Sequence, residues 1–438
     1  MAQKLGLSFI KFSKGFIERP SSLEKYRVNT VDFTRKRKLS FVDLSLCLTR
    51  LLRRNIQLEL NSYFAQSHLY PEGVSITSSA FVQTRKKMKQ EMFYDLNQGI
   101  VEEFYTDNDE TVQLYKGHRL LAIDGSTIQL PVNANTIKAY GSFKNQHQIN
   151  DVVLGRVSIL YDVLNDIVLD GVLKPYKESE IALARGHYSL AKENDIIIMD
   201  RGYPAFDSIY ELQSRKIHFL YRCKINFSKQ IAAFYHSKSK DAIIEIAPNR
   251  GILQKDKPYT KETTIKVRLL RIELPSGEVE ILMTSLLDGT IYPYKDFKEL
   301  YAMRWSVETY YNRFKNIIGV ERFSGTSDQF IQQEFNCALY MSNMQSILTK
   351  DAQFEADQKY ENRKYEYKIN ASMSLSLLRE YLIQLFTSGK EDEEIMKEFK
   401  NLLVKNVIPI RPNRSFERNH KYRKRIRPKQ FRNRKIIL

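Results

Sequence analysis

Cysteine is almost missing from this chain. Three residues, Cys47, Cys223 and Cys337, are scattered over 438 positions, an odd and widely spaced set that argues against a disulfide framework and against a cysteine-held zinc site. The seven histidines are equally dispersed, with no His-x3-His pair, so a bound metal would need oxygen ligands. Such sparing use of thiols points to a reducing, cytoplasmic compartment. Long apolar runs are lacking too. Nothing approaches the roughly 18 residues needed to span a bilayer, so no membrane is expected as a partner. The opening segment, Met1-Ala-Gln-Lys-Leu-Gly-Leu-Ser-Phe-Ile, has no long apolar stretch ahead of a small-residue cleavage site, and secretion is not expected. With 12 prolines and 42% apolar residues the composition is that of a folded protein. The length allows two or three domains, because single cores rarely grow past about 250–300 residues.

Acids are in deficit. Lysine and arginine number 69 against 51 aspartates and glutamates, a formal net charge of +18. An excess of this size favours a polyanionic partner, since each neutralised phosphate releases a condensed counterion. Charge alone does not choose between DNA and RNA. The stretch 411–438 carries twelve basic residues against one acid, Glu417, and is expected to stay extended until it meets phosphates.

Along the chain the texture changes several times. Residues 1–112 read as an N-terminal helical domain. A basic loop, Thr34-Arg-Lys-Arg-Lys, leads into a helix that Ser40 is placed to cap, and Thr77 caps a second helical block with the basic run Arg85-Lys-Lys-Met-Lys. Short helices with basic faces could form a DNA-contacting module or a packing domain with solvated lysines. Residues 113–224 alternate as three strands, helix, strand, helix, strand, the pattern of a mixed α/β sheet. Residues 225–293 read as a β-rich insertion whose last two strands are joined at Leu274-Pro-Ser-Gly-Glu. A long helix follows within 294–330, then a C-terminal helical region, 331–410, and the basic tail.

Two acids stand out in the α/β part. His118-Arg-Leu-Leu-Ala-Ile-Asp124-Gly and Asp195-Ile-Ile-Ile-Met-Asp200-Arg201 each read as an apolar strand ending in an aspartate. Taken singly, each could be an ordinary strand exit or a local ion pair. The long helix offers a third acid. At about 100° per residue, Tyr301, Arg304, Glu308 and Lys315 fall within an arc of roughly 60°, beside an apolar arc of Leu300, Met303, Val307, Phe314 and Ile318. Pairing of Arg304 with Glu308 as a surface i,i+4 salt bridge would leave Tyr301 and Lys315 on the same stripe without explanation. Three carboxylates on rigid elements suit Mg²⁺, which prefers hard oxygen ligands, and pairs of Mg²⁺ ions serve phosphodiester chemistry.

The spacing Tyr301-x2-Arg304-x3-Glu308-x6-Lys315 resembles in full the Tyr-Arg-Glu-Lys signature of bacterial transposases of the insertion-sequence-four family. Ile123-Asp124-Gly125-Ser126 is similar to that family's first catalytic region, Met199-Asp200-Arg201-Gly202-Tyr203 to its second, and Phe33-Thr-Arg-Lys-Arg-Lys-Leu-Ser-Phe to its N-terminal region. The resemblance implies an α/β fold: an RNase H-like core with a β-strand insertion, flanked by an N-terminal helical domain and a C-terminal helical region. It implies a cut-and-paste enzyme that acts on its element's terminal inverted repeats and on target DNA, as a homodimer, in the bacterial nucleoid. Asp124, Asp200 and Glu308 would hold Mg²⁺, with Mn²⁺ as a substitute. Tyr301, Arg304, Lys315 and Arg201 would contact DNA. Some relatives stack an indole from the insertion on a flipped base, but the single tryptophan here, Trp305, lies outside it. Phe227, Phe234 or Tyr235 would have to serve, and the sequence does not choose among them. A junction-resolving or repair nuclease with the same metal chemistry, or a copy that only binds DNA, are the rival readings.

Overall fold

The computed structural model describes residues 3–411 apart from 36, 53, 68, 72, 107–110, 144–150, 249–252, 254–256, 275 and 389–391. The tail 412–438 lies outside the described residues. The chain divides into two compact units: 1–109, 127–155 and 312–438 form one, and 110–126 with 156–311 form the other. Among the described residues no helix is long and apolar enough to cross a membrane.

Strands dominate the second unit. They are β1 (Leu120–Leu130), β2 (Val153–Asp162), β3 (Ile167–Pro175), β4 (Ile196–Met199), β5 (His218–Cys223), β6 (Asp241–Ile246), β7 (Ile265–Glu273) and β8 (Val279–Thr284). They make one sheet in the order β3-β2-β1-β4-β5-β8-β7-β6. The ends of β1 and β2 are counted with the other unit. Parallel pairing joins β1 to β4 and β4 to β5, and antiparallel pairing adds β8, β7 and β6. The order 3-2-1-4-5, with its parallel centre, is the RNase H-like core. Parallel strands are buried on both faces, and Ile196, Ile197, Ile198 and Met199 of β4 are all fully buried.

The stretch 225–293 holds three strands, and Gly277 at φ 82° lies in the turn between the last two, β7 and β8. A helix, Lys229–Ser237, also lies within it. The three strands form no separate layer; they continue the central sheet beyond β5. One face of the sheet packs Leu120, Ile196, Ile198, Leu220, Leu270 and Leu282 against Phe297, Leu300 and Tyr301 of the helix Phe297–Ala302.

The other unit is mostly helical, with a small two-stranded sheet of Tyr367–Ile369 and Val407–Pro409. Ser40 caps the helix Phe41–Thr49 through a reciprocal capping box with Asp43, and Thr77 caps Ser78–Arg85. The basic run at 85–89 is not a helix entrance, because the helix ends at Arg85. The Arg85 guanidinium turns inward: it pairs with Glu334 at 2.9 Å and donates to Gln333, Ser324 and the Phe330 carbonyl. Four acceptors satisfy a fork geometry that solvent-facing lysines would not need, so this position is structural. A second buried charge, Glu59, is gripped by Arg50 at 3.0 Å, Arg379 at 3.3 Å and Arg54 at 3.4 Å. The helix Asp328–Tyr360 runs through this unit and buries residues along most of its length.

Two stability predictions follow from these pairs. Arg85→Met leaves Glu334 buried without its cation and is expected to lower unfolding free energy by ~3–5 kcal/mol in urea titrations; a loss under 1 kcal/mol would show the pair to be idle. Burial works to raise the Glu59 carboxyl, but the charges of Arg379 and Arg50 overcome it and hold the group down to about 2, from 4.5. A depressed acid stabilises the fold above its unfolded value, and the gain disappears as pH falls from 4.5 towards 2. Glu59→Gln should therefore cost about 3 kcal/mol at pH 7, with the gap from wild type narrowing below pH 4.5. A gap that stays constant down to pH 3 would contradict this.

Candidate active site

Register brings the two aspartates together. β1 pairs β4 as Leu120↔Ile196, Leu121↔Ile197 and Ala122↔Ile198, and two further steps set Asp124 beside Asp200. Side chains alternate between faces along a strand, so both acids continue the face of Leu120, Ile196 and Ile198, where Leu300 and Tyr301 pack. β1 does not stop at Asp124, as the Asp-Gly pair suggests, but runs on to Leu130. The alternation in Ser-Thr-Ile-Gln-Leu keeps it extended, with burial falling at Asp124 and returning at Ile128. Asp200 directly follows β4.

Glu308 lies in the first turn of the helix Trp305–Arg313. The long helix read from the sequence is interrupted. At 303–304 its hydrogen bonds tighten: the N–H groups of Arg304, Ser306 and Val307 donate to Tyr301, Met303 and Arg304, each three residues back. A π-turn over Phe314–Ile318 then replaces the last α-helical turn. The ideal wheel thus overstates the regularity of the stripe. Arg304 still reaches Glu308 at 2.9 Å, and its guanidinium lies 4.6 Å from the Trp305 ring centroid and 5.9 Å from that of Tyr301. The ion pair is no surface pair, because the Arg304 side chain is only 6% exposed.

The acids crowd one another. Burial first, then the charges of Glu308 and Asp200, push the Asp124 carboxyl up to about 6, against the pull of the Gly125 N–H and of Arg304. Asp124 accepts the Gly125 N–H at 2.9 Å and Asp200 the Arg201 N–H at 2.6 Å. Two donors of the cationic stripe carry no partner: the Tyr301 hydroxyl and Arg304 Nε are buried without a hydrogen bond. Buried polar groups usually pair with protein or ordered water, and these are two of several such atoms without a hydrogen-bond partner among the described residues. Lys315 belongs to the other unit, where its Nζ donates to the Thr127 carbonyl at 2.8 Å. Arg201 is exposed beside Asp200.

The donor set fits a hard divalent cation: crowded carboxylates, one of them driven towards protonation, with no thiol or imidazole among them. Among the described residues no group of three or more His, Cys, Asp or Glu side chains is placed to hold a metal ion, and Glu308 is turned to Arg304. Mg²⁺ sites of this chemistry take one or two carboxylates per ion and leave the remainder to water and phosphate.

Several residues near the acids were not singled out from the sequence. The β4–β5 register, Met199↔Tyr221, continues to Asp200 beside Arg222, and Arg222 pairs with Glu280 at 2.9 Å and Glu278 at 2.7 Å. Burial raises the Glu280 carboxyl, and Asp200 and Arg304 both act on it. Tyr311 donates from its hydroxyl to the Asp124 carbonyl at 2.8 Å. The Tyr203 hydroxyl stands 3.3 Å from where a Cβ on Gly125 would be. The spacing Asp200-x2-Tyr203 and Glu308-x2-Tyr311 was the available signal.

Charge crowding has a measurable consequence. An acid whose folded value is raised from 3.8 to about 6 weakens the fold at pH values above that range, and the penalty is relieved as pH falls through it. Without divalent ions at pH 7, Asp124→Asn should therefore be more stable than wild type by about 1–3 kcal/mol. Mn²⁺ should raise the melting temperature of wild type and leave Asp124→Asn unmoved. A less stable variant that still responds to Mn²⁺ would refute the crowding.

No curated protein matches the sequence. Among solved structures, a piggyBac transposase in a synaptic complex with hairpin DNA is similar at 8% identity, with 93% of this chain and 87% of that chain covered and a TM-score of 0.45, too distant a likeness to carry an argument. A family model is decisive. The transposase DDE domain matches residues 115–344, more than half the chain and all three acids, so the protein belongs to the transposase DDE domain family.

Proposed function

We propose that the chain is a cut-and-paste DNA transposase of the insertion-sequence-four type, which binds the terminal inverted repeats of its element and cleaves and rejoins DNA with Asp124, Asp200 and Glu308. The observation that carries the reading is the parallel register that sets Asp124 beside Asp200, with Glu308 close enough to act on the Asp124 carboxyl. Asp124, Asp200 and Glu308 would hold Mg²⁺, or Mn²⁺ in its place. When bound, the ions supply activation of the attacking oxygen and stabilisation of the leaving one.

The chain's own part is positioning and charge. A water oxygen attacks the phosphorus at the element end and the 3′-oxygen leaves as a hydroxyl; that 3′-hydroxyl then gives up its proton and attacks a target phosphorus, breaking its bond to the target strand's 3′-oxygen, which leaves as a new 3′-hydroxyl. Arg304 would keep its bond to Glu308 while its free Nε, with the Tyr301 hydroxyl, meets a phosphate oxygen. Lys315 and Arg201 would contact the flanking backbone. Residues 1–112 and the basic tail would add contacts along the repeat, and two copies would act together in the synaptic complex. A hairpin at the element end belongs to the same reading, with Phe227, Phe234 or Tyr235 as the base-stacking ring. Of these, Phe234 is buried, which leaves Phe227 and Tyr235 as the stronger candidates.

The test uses a labelled repeat end taken from DNA flanking the gene. Asp124→Asn, Asp200→Asn and Glu308→Gln should each reduce Mg²⁺-dependent nicking by at least a thousandfold, on the order of the loss seen when one essential group of a catalytic set is removed, and retain repeat binding in gel shifts. Nicking without strand transfer by wild type would favour a repair or resolving nuclease, and full cleavage by any of the three variants would overturn the assignment.

A further inference from the structure

Each of the last two acids carries a tyrosine three residues downstream, and both phenols end on the same peptide. Tyr311 follows Glu308 by about one helical turn. Its buried hydroxyl donates to the Asp124 carbonyl at 2.8 Å and lies 3.5 Å from the Val157 carbonyl. Tyr203 follows Asp200 through a turn closed by its own N–H on the Asp200 carbonyl at 3.1 Å. Its hydroxyl stands over Gly125, 3.3 Å from where a Cβ there would be, while the Gly125 N–H turns to the Asp124 carboxylate at 2.9 Å. The Asp124 carbonyl and the Gly125 N–H are the two ends of one peptide plane. That plane sits directly after the first acid and sets the direction in which its carboxylate leaves the strand.

We infer that Tyr203 and Tyr311 are positioning residues, a clamp that holds the Asp124–Gly125 peptide by a hydrogen bond from Tyr311 to its carbonyl and by contact of the Tyr203 hydroxyl with Gly125, and so locks the three carboxylates into one arrangement. Glycine at 125 is part of the device. A Cβ there would stand 3.3 Å from the Tyr203 hydroxyl and 3.5 Å from the Glu180 side chain, so a larger residue would push the phenol off the peptide. All the groups involved lie in one compact unit. Both tyrosines are enclosed, each 6% exposed, which keeps water from replacing either hydroxyl. Neither phenol touches the reacting atoms; each acts through the acid it orients, as outer-shell partners of metal ligands do.

The inference rests on the proposed role of the three acids, and its test separates the two. Mn²⁺ binding to the full-length protein without DNA is read by electron paramagnetic resonance for wild type, Tyr203→Phe, Tyr311→Phe and the double variant. Tyr63→Phe serves as a control, because it loses an equally buried hydroxyl bonded to Asp43 at 2.7 Å, far from these acids in sequence. Each clamp variant should weaken Mn²⁺ affinity about 10-fold. The double variant should lose less than the product of the two, since both hydroxyls act on one peptide. The control should keep wild-type affinity even if its melting temperature falls as far. Wild-type affinity in both single variants, or an equal loss in Tyr63→Phe, overturns the clamp and leaves the triad standing. Failure of wild type itself to bind Mn²⁺ overturns the triad reading together with the clamp.

Discussion

The parallel pairing of β1 with β4 is the constraint on which the rest of the structure depends. A shift of one residue in that register would turn one aspartate to the opposite face of the sheet from the other. What prevents the slip is apolar packing. Leu120, Ile196 and Ile198 on one face, and Leu121 and Ile197 on the other, are all fully buried, so any alternative pairing would put a chain of large side chains out of step with its neighbours. The core therefore does two things at once. It closes the sheet, and it delivers two acids, far apart in sequence, to adjacent strand positions without either acid contributing to the folding energy.

Asp124 itself is a burden on the fold. A chain with a net charge of +18 gathers carboxylates here, and a buried cation among them, Arg304, is shared: it bonds Glu308 and acts on Asp124 and Asp200. Groups arranged so badly for stability are a hallmark of sites built for something else. The unpartnered Tyr301 hydroxyl and Arg304 Nε carry the same message from the donor side. A structural ion-pair network would have closed on itself, as the one around Glu59 does with three arginines.

Much of this was legible in the sequence. Asp124 and Asp200 could be found because each ends an apolar run, and the capping residues Ser40 and Thr77 because their side chains have one local task. The helical stripe of Tyr301, Arg304 and Glu308 was found by spacing, although the wheel that found it assumed a helix without the break at 303–304 or the π-turn at 314–318. Such departures come from tertiary packing and leave no periodic trace. Arg85 misled for a related reason. In a run of four cations the one that is buried looks like its neighbours, and its partners Ser324, Gln333 and Glu334 lie some 240 residues away. Tyr203 and Tyr311 were passed over because tyrosine is common here, with 26 in the chain. Only the meeting of the two phenols at one peptide marks them out.

The antiparallel strands beyond β5 raise a question the core alone would not answer, namely why a catalytic sheet should be widened on that side. Face alternation gives a reason. Asp124, Asp200 and Arg222 follow one another across β1, β4 and β5 on one face, and β8 adds Glu280 to the same face, two residues from Leu282 opposite Arg222 and ion-paired to Arg222 at 2.9 Å. Without β8, Arg222 would be an edge-strand cation free to collapse onto Asp200 and neutralise it. Glu278 and Glu280 draw it the other way. The added strands thus keep a nearby arginine occupied, and Asp200 has no ion-pair partner among the described residues. A carboxylate without an ion pair of its own is one that can still bind a cation.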